Sequence, residues 1–284
     1  MPVFIRQCLG FTIMLKNERI CVIGAGKIGE AIIRGLANTS ATSKNNICAT
    51  TRHKETAEKQ SKQLGIPVFT DNKTACKNAS IIILAVKPQA MKSVIAEIRP
   101  VVSTKQLVIS VAASVTASSI EDAFGKKIPV IRTMPNLACT IQCGMTGIAA
   151  GRYCSPEDLE KAMAVFNSLG RTMIVDEIHL NAVTGLSASG PAFLYIIIEA
   201  LSEGGVKVGL PRETATELVA QAMYGAAKMV LTTNEHPAKL KDMVTTPAGC
   251  TIDGIMELED GGIRHSLIKA VVKATERAKE LSQQ

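Results

Sequence analysis

The pattern of apolar residues changes once along the chain, and this change constrains the fold more than any other feature. Between residue 19 and about residue 175, short runs rich in β-branched residues alternate with segments of helical periodicity. That alternation is typical of a parallel sheet covered by helices. From about Asp176 onward the strand pattern stops and long amphipathic stretches take over. We therefore predict an α/β domain followed by an all-α domain.

The predicted elements follow from this pattern. Strands are expected at 19–23, 46–50, 67–70, 80–86, 106–111, 129–134, 144–150 and 171–175. Helices are expected at 27–37, 53–64, 89–98 and 156–168, and then at 177–207, 211–233, 249–260 and 262–282. Glycine and proline at 190–191, 209–211 and 236–237 interrupt the later helices, because proline removes a helical hydrogen bond. The predicted domains are a poorly ordered extension at 1–16, an α/β domain at 17–176 and a helical domain at 177–284.

Composition argues against metal binding, nucleic-acid binding and a membrane span. The chain has 284 residues, of which 46% are apolar, no Trp and a net charge of +7. Its eight cysteines are scattered without a CxxC pair or zinc-like spacing, so we expect free thiols, no bound metal and a reducing cytoplasm. The basic residues are dispersed and not interleaved with aromatics, which argues against nucleic acid. No apolar run reaches the roughly 20 residues of a membrane span.

A glycine-rich turn opens the first predicted helix. Gly24-Ala25-Gly26-Lys27-Ile28-Gly29 follows the first strand directly, which is the context that a dinucleotide-binding fingerprint requires. Gly24 would permit the tight turn, Gly26 would let a pyrophosphate reach the backbone, and Gly29 would let the helix lie against the strand. The alternative is a plain strand-to-helix turn.

The end of the second strand indicates a phosphorylated dinucleotide. An acid there would bind the ribose 2′-hydroxyl of NAD, but the chain runs through Thr50-Thr51-Arg52-His53-Lys54 before its first acid, Glu55. Hydroxyls and cations suit a 2′-phosphate, so NADPH is the predicted cofactor, with weaker use of NADH. The alternative is a solvated basic helix start.

Two further stretches stand where ligands bind. Ala85-Val86-Lys87-Pro88 follows the fourth strand at the edge where open α/β sheets place ligands, with Lys87 either near the ribose or nicotinamide or in a surface loop. VTTPAGCTIDG, residues 244–254, reads as a helix start with Thr246 as N-cap and Pro247 as first helical residue. Three small residues there would let a ligand approach the backbone, Ala248, Gly249 and Cys250. Free N–H groups, the helix dipole and the Thr251 hydroxyl would bind a small anion, or else this is an ordinary capped helix.

Together these motifs resemble one family. GAGKIG after the first strand, LAVKP after the fourth and VTTPAGCTIDG in the helical part occur in the order found in Δ1-pyrroline-5-carboxylate reductases, the enzymes of the last step of proline synthesis. Further matches are ISVAASVT (109–116), IRTMPN (131–136), AVTGLSASGPAF (182–193), GGVKVGLPR (204–212) and AAKM (226–229). The resemblance extends from Arg19 to Leu281.

The resemblance implies a Rossmann-like NAD(P)-binding domain followed by a helical dimerisation and substrate-binding domain. Members form homodimers whose C-terminal helices interleave, and they often assemble these dimers into a decamer. Their active site lies between the cofactor domain of one subunit and the helical domains of the dimer. The implied reaction is hydride transfer from the nicotinamide to the imine carbon of 1-pyrroline-5-carboxylate, which gives L-proline.

The resemblance also assigns residues. The expected cofactor-binding residues are Ile23, Gly24, Ala25, Gly26, Lys27, Ile28, Thr51, Arg52, Asn72, Ala85, Val86, Lys87, Pro88, Ala112 and Ala113. The expected substrate-binding residues are Glu177, Thr246, Ala248, Gly249, Cys250 and Thr251. Thr251 matches the threonine that hydrogen-bonds the substrate ring nitrogen and is the expected catalytic residue. The family's Pro-Gly-Gly is Pro247-Ala248-Gly249 here, and we expect a helical first turn to tolerate the alanine.

Two other functions stay open at this stage. A β-hydroxyacid dehydrogenase shares the order of domains and needs a lysine base, for which Lys207 and Lys228 are candidates without a convincing motif. A non-catalytic NADPH-binding regulator would hold the cofactor and leave the helical part without a small-molecule ligand. No His, Asp and Lys constellation for strong acid–base work is visible, which suits imine reduction. A protonated cyclic imine is already electrophilic and mainly has to be held against the hydride donor.

Overall fold

The computed structural model describes residues 15–38 and 42–282. Residues 1–14 of the predicted extension lie outside the described residues. Leu15, which that prediction includes in the extension, is instead fully buried in the hydrophobic core. The Lys16 carbonyl accepts a 2.7 Å hydrogen bond from Asn46 Nδ2. Leu15 and Lys16 therefore belong to the packed part of the chain.

Every strand predicted from the sequence is present, with bounds within two residues of the prediction. The strands are β1 (Ile20–Ile23), β2 (Ile47–Thr50), β3 (Val68–Phe69), β4 (Ile81–Leu84), β5 (Leu107–Ser110), β6 (Val130–Pro135), β7 (Gly144–Ala150) and β8 (Gly170–Ile174). They form one sheet in the order β3-β2-β1-β4-β5-β6-β7-β8. All neighbouring pairs are parallel except β6 with β7.

Helices cover both faces of this sheet. They are α1 (Lys27–Asn38), α2 (Lys54–Leu64), α3 (Asn72–Cys76), α4 (Pro88–Ile98), α5 (Ala117–Phe124) and α6 (Pro156–Asn167). Alternate residues of β1 enter different apolar clusters, Ile20 and Val22 in one and Cys21 and Ile23 in the other. Side chains of a strand alternate between faces, so the two clusters are the two halves of the core. Burial on both faces explains why β1, β4 and β5 are almost continuously apolar.

The later part of the described chain is helical. After a 3₁₀ turn at Glu177–His179 come α7 (Leu180–Val183) and a π-helical turn at Thr184–Ala188. They are followed by α8 (Gly190–Lys207), α9 (Arg212–Thr233), α10 (Pro237–Met243), α11 (Cys250–Asp260) and α12 (Ile263–Ser282). The break predicted at 190–191 thus lies at the start of α8. Periodicity does not predict α10, because seven residues are too few to show it.

The chain divides into two compact units, Ser189–Lys273 and the residues before and after that segment. Residues 189–273 are all described, and only Ser202 and Ala215 among them are buried. Large apolar side chains such as Ile196, which is 64% exposed, face outward in this unit. By length and hydropathy alone, one described helical stretch, Glu177–Lys207, passes the test for a membrane span. The stretch is not an uninterrupted apolar run, because charged residues lie within it.

Candidate active site

The glycine-rich turn after β1 has the geometry that its sequence predicts. Gly24 has a φ of +97°, in the region that favours glycine, and a Cβ there would lie 2.6 Å from the Ala85 carbonyl oxygen. A Cβ on Gly29 would collide with the Gly24 carbonyl oxygen. A Cβ on Gly26 would meet nothing within 4 Å, so the backbone is open to a ligand there. Packing therefore excludes a side chain at Gly24 and Gly29, whereas the space beside Gly26 is open to a ligand.

Hydrogen bonds hold this turn in place. The N–H groups of Gly24 and Ala25 both donate to the Thr50 carbonyl over 3.1 Å, and Gln60 Nε2 donates to the Ala25 carbonyl over 2.6 Å. The first N–H groups of α1, which include those of Lys27 and Ile28, have no acceptor inside their helix. A fixed turn with free N–H groups at a helix start is suited to a pyrophosphate.

A cavity of about 570 Å³ opens at the turn. This volume is within the roughly 300–1,000 Å³ of small-molecule sites. Eight of the predicted cofactor residues line the cavity, namely Ile23, Gly24, Ala25, Gly26, Thr51, Arg52, Asn72 and Val86. The cavity lies beside β1, whose pairing with β2 on one side and β4 on the other makes the strand order reverse there. Open α/β sheets bind ligands at such a switch point.

The remaining predicted cofactor residues lie at the same edge of the sheet. Lys27 and Ile28 are in the first turn of α1. Ala85 and Lys87 connect β4 to α4, which begins at Pro88, and Ala112 and Ala113 follow β5. Two of their N–H groups are already used. That of Ala85 donates to the Ile23 carbonyl over 2.8 Å, and that of Ala112 donates to Ser110 Oγ over 3.3 Å.

Seven further residues line the cavity, and of these only Thr50 stands in a stretch that the sequence analysis singles out. These are Thr50, Thr56, Gln60, Thr70, Ser93, Val94 and Glu97. Most lie on α2 and α4 outside any motif, and only the fold brings them to the glycine-rich turn. Glu97 Oε2 accepts a hydrogen bond of 2.8 Å from Asn72 Nδ2. Arg52 is exposed at the end of β2 and makes no ion pair within the part of the chain that the structure describes.

The stretch that precedes α11 forms a separate turn. The Gly249 N–H donates to the Thr246 carbonyl over 3.1 Å, Gly249 is the N-cap, and α11 begins at Cys250. The predictions of Thr246 as N-cap and Pro247 as first helical residue are therefore wrong. The cause is Ala248, whose φ of +55° lies in the left-handed region and interrupts the helical path.

The same φ corrects the expectation for the alanine itself. Ala248 does not occupy a helical first turn, where alanine would be favoured. It occupies a conformation that costs a residue with a Cβ about 1–2 kcal/mol and that glycine adopts readily. Its neighbour Gly249 has no space for a side chain, because a Cβ there would collide with Thr246 Oγ1.

The start of α11 offers several free donors. The N–H groups of Cys250, Thr251 and Ile252 have no acceptor inside their helix, and the Gly249 N-cap has no side chain to cap them. The Gly249 N–H, expected among the donors, is used by the Thr246 carbonyl. Thr251 is half-buried, and its hydroxyl makes no hydrogen bond to another described residue. This arrangement can bind a carboxylate next to a hydroxyl.

Glu177 lies in the other unit, in a network that the sequence does not reveal. Its Oε1 accepts hydrogen bonds from the Ala117 N–H over 2.7 Å and from Arg132 Nη1 over 2.9 Å. Arg132 is only 4% exposed, and its Nη2 has no partner among the described residues. Glu177 therefore neutralises a buried cation and caps the start of α5.

Other candidate groups contribute little to either region. The described residues contain no group of three or more His, Cys, Asp or Glu side chains arranged to hold a metal ion. Lys207, at the end of α8, is exposed. Lys228 is also exposed, with its Nζ 5.8 Å from the ring centre of Tyr224.

Residues 177–281 match the family model for pyrroline-5-carboxylate reductase dimerisation. Residues 19–114 match the model described as NADP oxidoreductase, coenzyme F420-dependent. A pyrroline-5-carboxylate reductase from Methanosarcina acetivorans is 44% identical to this chain, over 94% of it and 99% of the relative. The chain belongs to the pyrroline-5-carboxylate reductase family.

Solved pyrroline-5-carboxylate reductases share the fold over nearly the whole chain. The structure from Coxiella burnetii has a TM-score of 0.89 at 36% identity and covers 95% of this chain and 100% of that one. The Plasmodium falciparum enzyme, solved with NADP bound, has a TM-score of 0.84 at 28% identity and covers 94% of this chain and 99% of that one. Both the cavity-bearing unit and the helical unit of this chain are thus matched within one family.

Proposed function

We propose that this chain reduces the cyclic imine 1-pyrroline-5-carboxylate to L-proline with NADPH, which is the last step of proline biosynthesis. The observation that carries the proposal is the free N-terminus of α11 beside the Thr251 hydroxyl, in a chain that a pyrroline-5-carboxylate reductase matches over 94% of its length. The substrate has one carboxylate and one ring nitrogen. A helix start and an adjacent hydroxyl provide one binding group for each of them.

The residues at the start of α11 hold the substrate in this proposal. The N–H groups of Cys250, Thr251 and Ile252 donate to its carboxylate. The Thr251 hydroxyl accepts from the protonated ring nitrogen and so fixes the orientation of the imine carbon. Thr246, Ala248 and Gly249 shape the turn that leads into these donors. Glu177 is the further proposed substrate residue, and its Oε2 makes no hydrogen bond within the described part of the chain.

The cavity at the sheet edge holds the cofactor. NADPH supplies the hydride when it is bound. The turn from Ile23 to Ile28 binds its pyrophosphate, Thr51 and Arg52 bind the 2′-phosphate, and Asn72 lies near the cofactor. The loops 85–88 and 112–113 border the nicotinamide. NADH is used more weakly, because it lacks the phosphate that would pair with Arg52.

The chain works as a homodimer in this proposal. Residues 189–273 bury only two of their side chains alone, and the matching family model describes dimerisation. Apolar faces of this kind are covered by another subunit. The resemblance extends the proposal to interleaved C-terminal helices and to a decamer. A cytoplasmic location is supported by the described cysteines, all seven of which are free thiols.

The test is an assay of imine reduction beside alcohol oxidation. Purified protein is given 1-pyrroline-5-carboxylate with NADPH or NADH, and in parallel a β-hydroxyacid with NADP⁺. We expect imine reduction that is faster with NADPH, and no hydroxyacid oxidation. Hydroxyacid oxidation alone would favour a dehydrogenase with Lys207 or Lys228 as base. NADPH binding without turnover, and without thermal stabilisation by L-proline, would favour a regulator.

Thr251 variants test the assigned role within that assay. Thr251→Ala removes one positioned polar group and should lower kcat by roughly ten- to a thousandfold. Thr251→Ser keeps the hydroxyl and should retain most of the activity. Unchanged kinetics in Thr251→Ala would refute the role.

A further inference from the structure

Asn72 and Glu97 form a hydrogen-bonded pair in the wall of the 570 Å³ cavity. Asn72 is the first residue of α3, and Glu97 lies in the last turn of α4. Both are half-buried, and 2.8 Å separates Asn72 Nδ2 from Glu97 Oε2. Among the described residues that line the cavity, Glu97 is the one acid and Arg52 the one permanent cation. The cavity therefore carries opposite charges on different elements.

The carboxylate decides which way the Asn72 amide points. An ionised carboxylate can only accept hydrogen bonds, so the amide nitrogen of Asn72 faces Glu97. The amide oxygen is left as an acceptor without a hydrogen-bond partner among the described residues. Without Glu97 the two orientations of the amide would be close in energy, since either end can find a partner in water. Glu97 thus selects one of the two orientations of the Asn72 amide, the one that leaves Oδ1 as the acceptor.

Two acceptors at one place select what can bind there. Asn72 Oδ1 and Glu97 Oε1 can each accept from a hydroxyl or an amine, but phosphate oxygens are themselves acceptors and are repelled by the carboxylate. Phosphates are matched instead by the Thr51 hydroxyl and the Arg52 guanidinium at the end of β2. The distribution of donors and acceptors thereby gives the nucleoside one orientation in the cavity.

We propose that Glu97 is a positioning residue that fixes the Asn72 amide as the acceptor for a ribose hydroxyl of the dinucleotide's adenosine. Its charge also keeps the phosphates on the β2 side of the cavity. This inference rests on the proposed use of a nicotinamide dinucleotide, and it does not depend on which substrate is reduced. Because the 3′-hydroxyl of this ribose is free in both cofactors, Glu97 acts on NADP⁺ and NAD⁺ alike, whereas Arg52 distinguishes the 2′-phosphate of NADP⁺ from the 2′-hydroxyl of NAD⁺.

Binding titrations of NADP⁺ and NAD⁺ to the protein without substrate test the proposal. E97A should weaken the binding of both by about three- to tenfold, the effect of one net hydrogen bond. N72A should weaken it similarly, and E97A should have a smaller effect in the N72A variant than in the unmodified protein, since no amide is left to position. In turnover, E97A should raise the KM for NADPH and leave kcat within about twofold.

E58A is the matched control. Glu58 is an exposed acid on α2 that does not line the cavity, so its removal subtracts the same charge without touching Asn72. We expect cofactor binding in E58A to stay within about twofold of the unmodified protein. If E97A lowers the melting temperature of the cofactor-free protein, E97Q replaces it in the comparison with N72A, because glutamine keeps the size of the side chain. The effect of E97Q on cofactor binding should likewise be smaller in the N72A variant than in the unmodified protein.

An equal effect of E97A with and without Asn72, or tighter cofactor binding in E97A, would overturn the proposal. The result is separable from the proposed function. A protein that shows the coupling but does not reduce the imine refutes the function and supports the inference. A protein that reduces the imine without the coupling refutes the inference alone.

Discussion

At the scale of single residues, Ala248 shows how local preference and local geometry can disagree. Alanine is the strongest helix former, so the sequence around it predicts a helical turn. The chain instead closes the turn from Thr246 to Gly249, and this closure places Ala248 at a φ of +55°. The residue itself does not signal this conformation, because glycine or asparagine is its usual marker, and only the glycine that the family has at this position points to it.

Ala248→Gly should therefore stabilise the protein. Removing the strain of alanine in the left-handed conformation stabilises the folded protein by about 1–2 kcal/mol. The greater conformational freedom of glycine in the unfolded chain offsets about 0.4–1 kcal/mol of this gain. A net gain of roughly 0.5–1 kcal/mol should raise the melting temperature by about 1–3 °C. Thermal unfolding followed by circular dichroism at fixed protein concentration measures the change.

Ala96→Gly is the control for that variant. Ala96 is exposed in the last turn of α4, where its replacement by glycine should cost up to about 1 kcal/mol. The two alanine-to-glycine substitutions should thus have opposite signs. A melting temperature that falls in both variants would contradict the left-handed conformation of Ala248.

At the scale of elements, the sheet is predictable and its connections are less so. β1, β4 and β5 read clearly as strands because both faces are buried and the apolar run is unbroken. α3 escapes prediction because five residues are too few to show helical periodicity, although Asp71 Oδ1 caps its start by accepting a hydrogen bond from the Lys73 N–H. The ion pair of Glu177 with Arg132 joins residues 45 positions apart, so only the folded chain reveals it.

Glu177 should contribute to stability as well as to the site. Glu177→Ala leaves the buried Arg132 without its partner and takes the acceptor away from the Ala117 N–H at the start of α5. We expect a loss of about 2–3 kcal/mol, below the full effect of a buried pair because Glu177 is partly exposed. Urea unfolding at fixed protein concentration gives the free energy.

Glu157→Ala gives the comparison for Glu177→Ala. Glu157 pairs with Lys161 one helical turn away, and its side chain is 69% exposed. Such a surface pair should contribute less than about 0.5 kcal/mol. Equal losses of unfolding free energy in the two variants would show that the contact of Glu177 with Arg132 stabilises the protein no more than a surface pair does.

At the scale of the whole molecule, the exposed apolar side chains of residues 189–273 support the proposed homodimer. Leu218 and Leu231 are large apolar residues of α9 that are more than half exposed. Leu231→Glu should place a charge in the dimer interface and yield monomers in light scattering, with loss of imine reduction. Gln63→Glu, at an exposed position of α2, adds the same charge and should leave the dimer intact. An active monomer of Leu231→Glu would contradict the account.

The central claim is that hydride passes from NADPH to the imine carbon of 1-pyrroline-5-carboxylate bound at the start of α11. Its most direct test is turnover with NADPH that carries deuterium at the transferred position of C4, followed by mass and NMR analysis of the product. We predict one deuterium per L-proline, on the δ carbon, for each NADPH consumed. A folded, NADPH-binding protein that yields no deuterated proline would contradict the account.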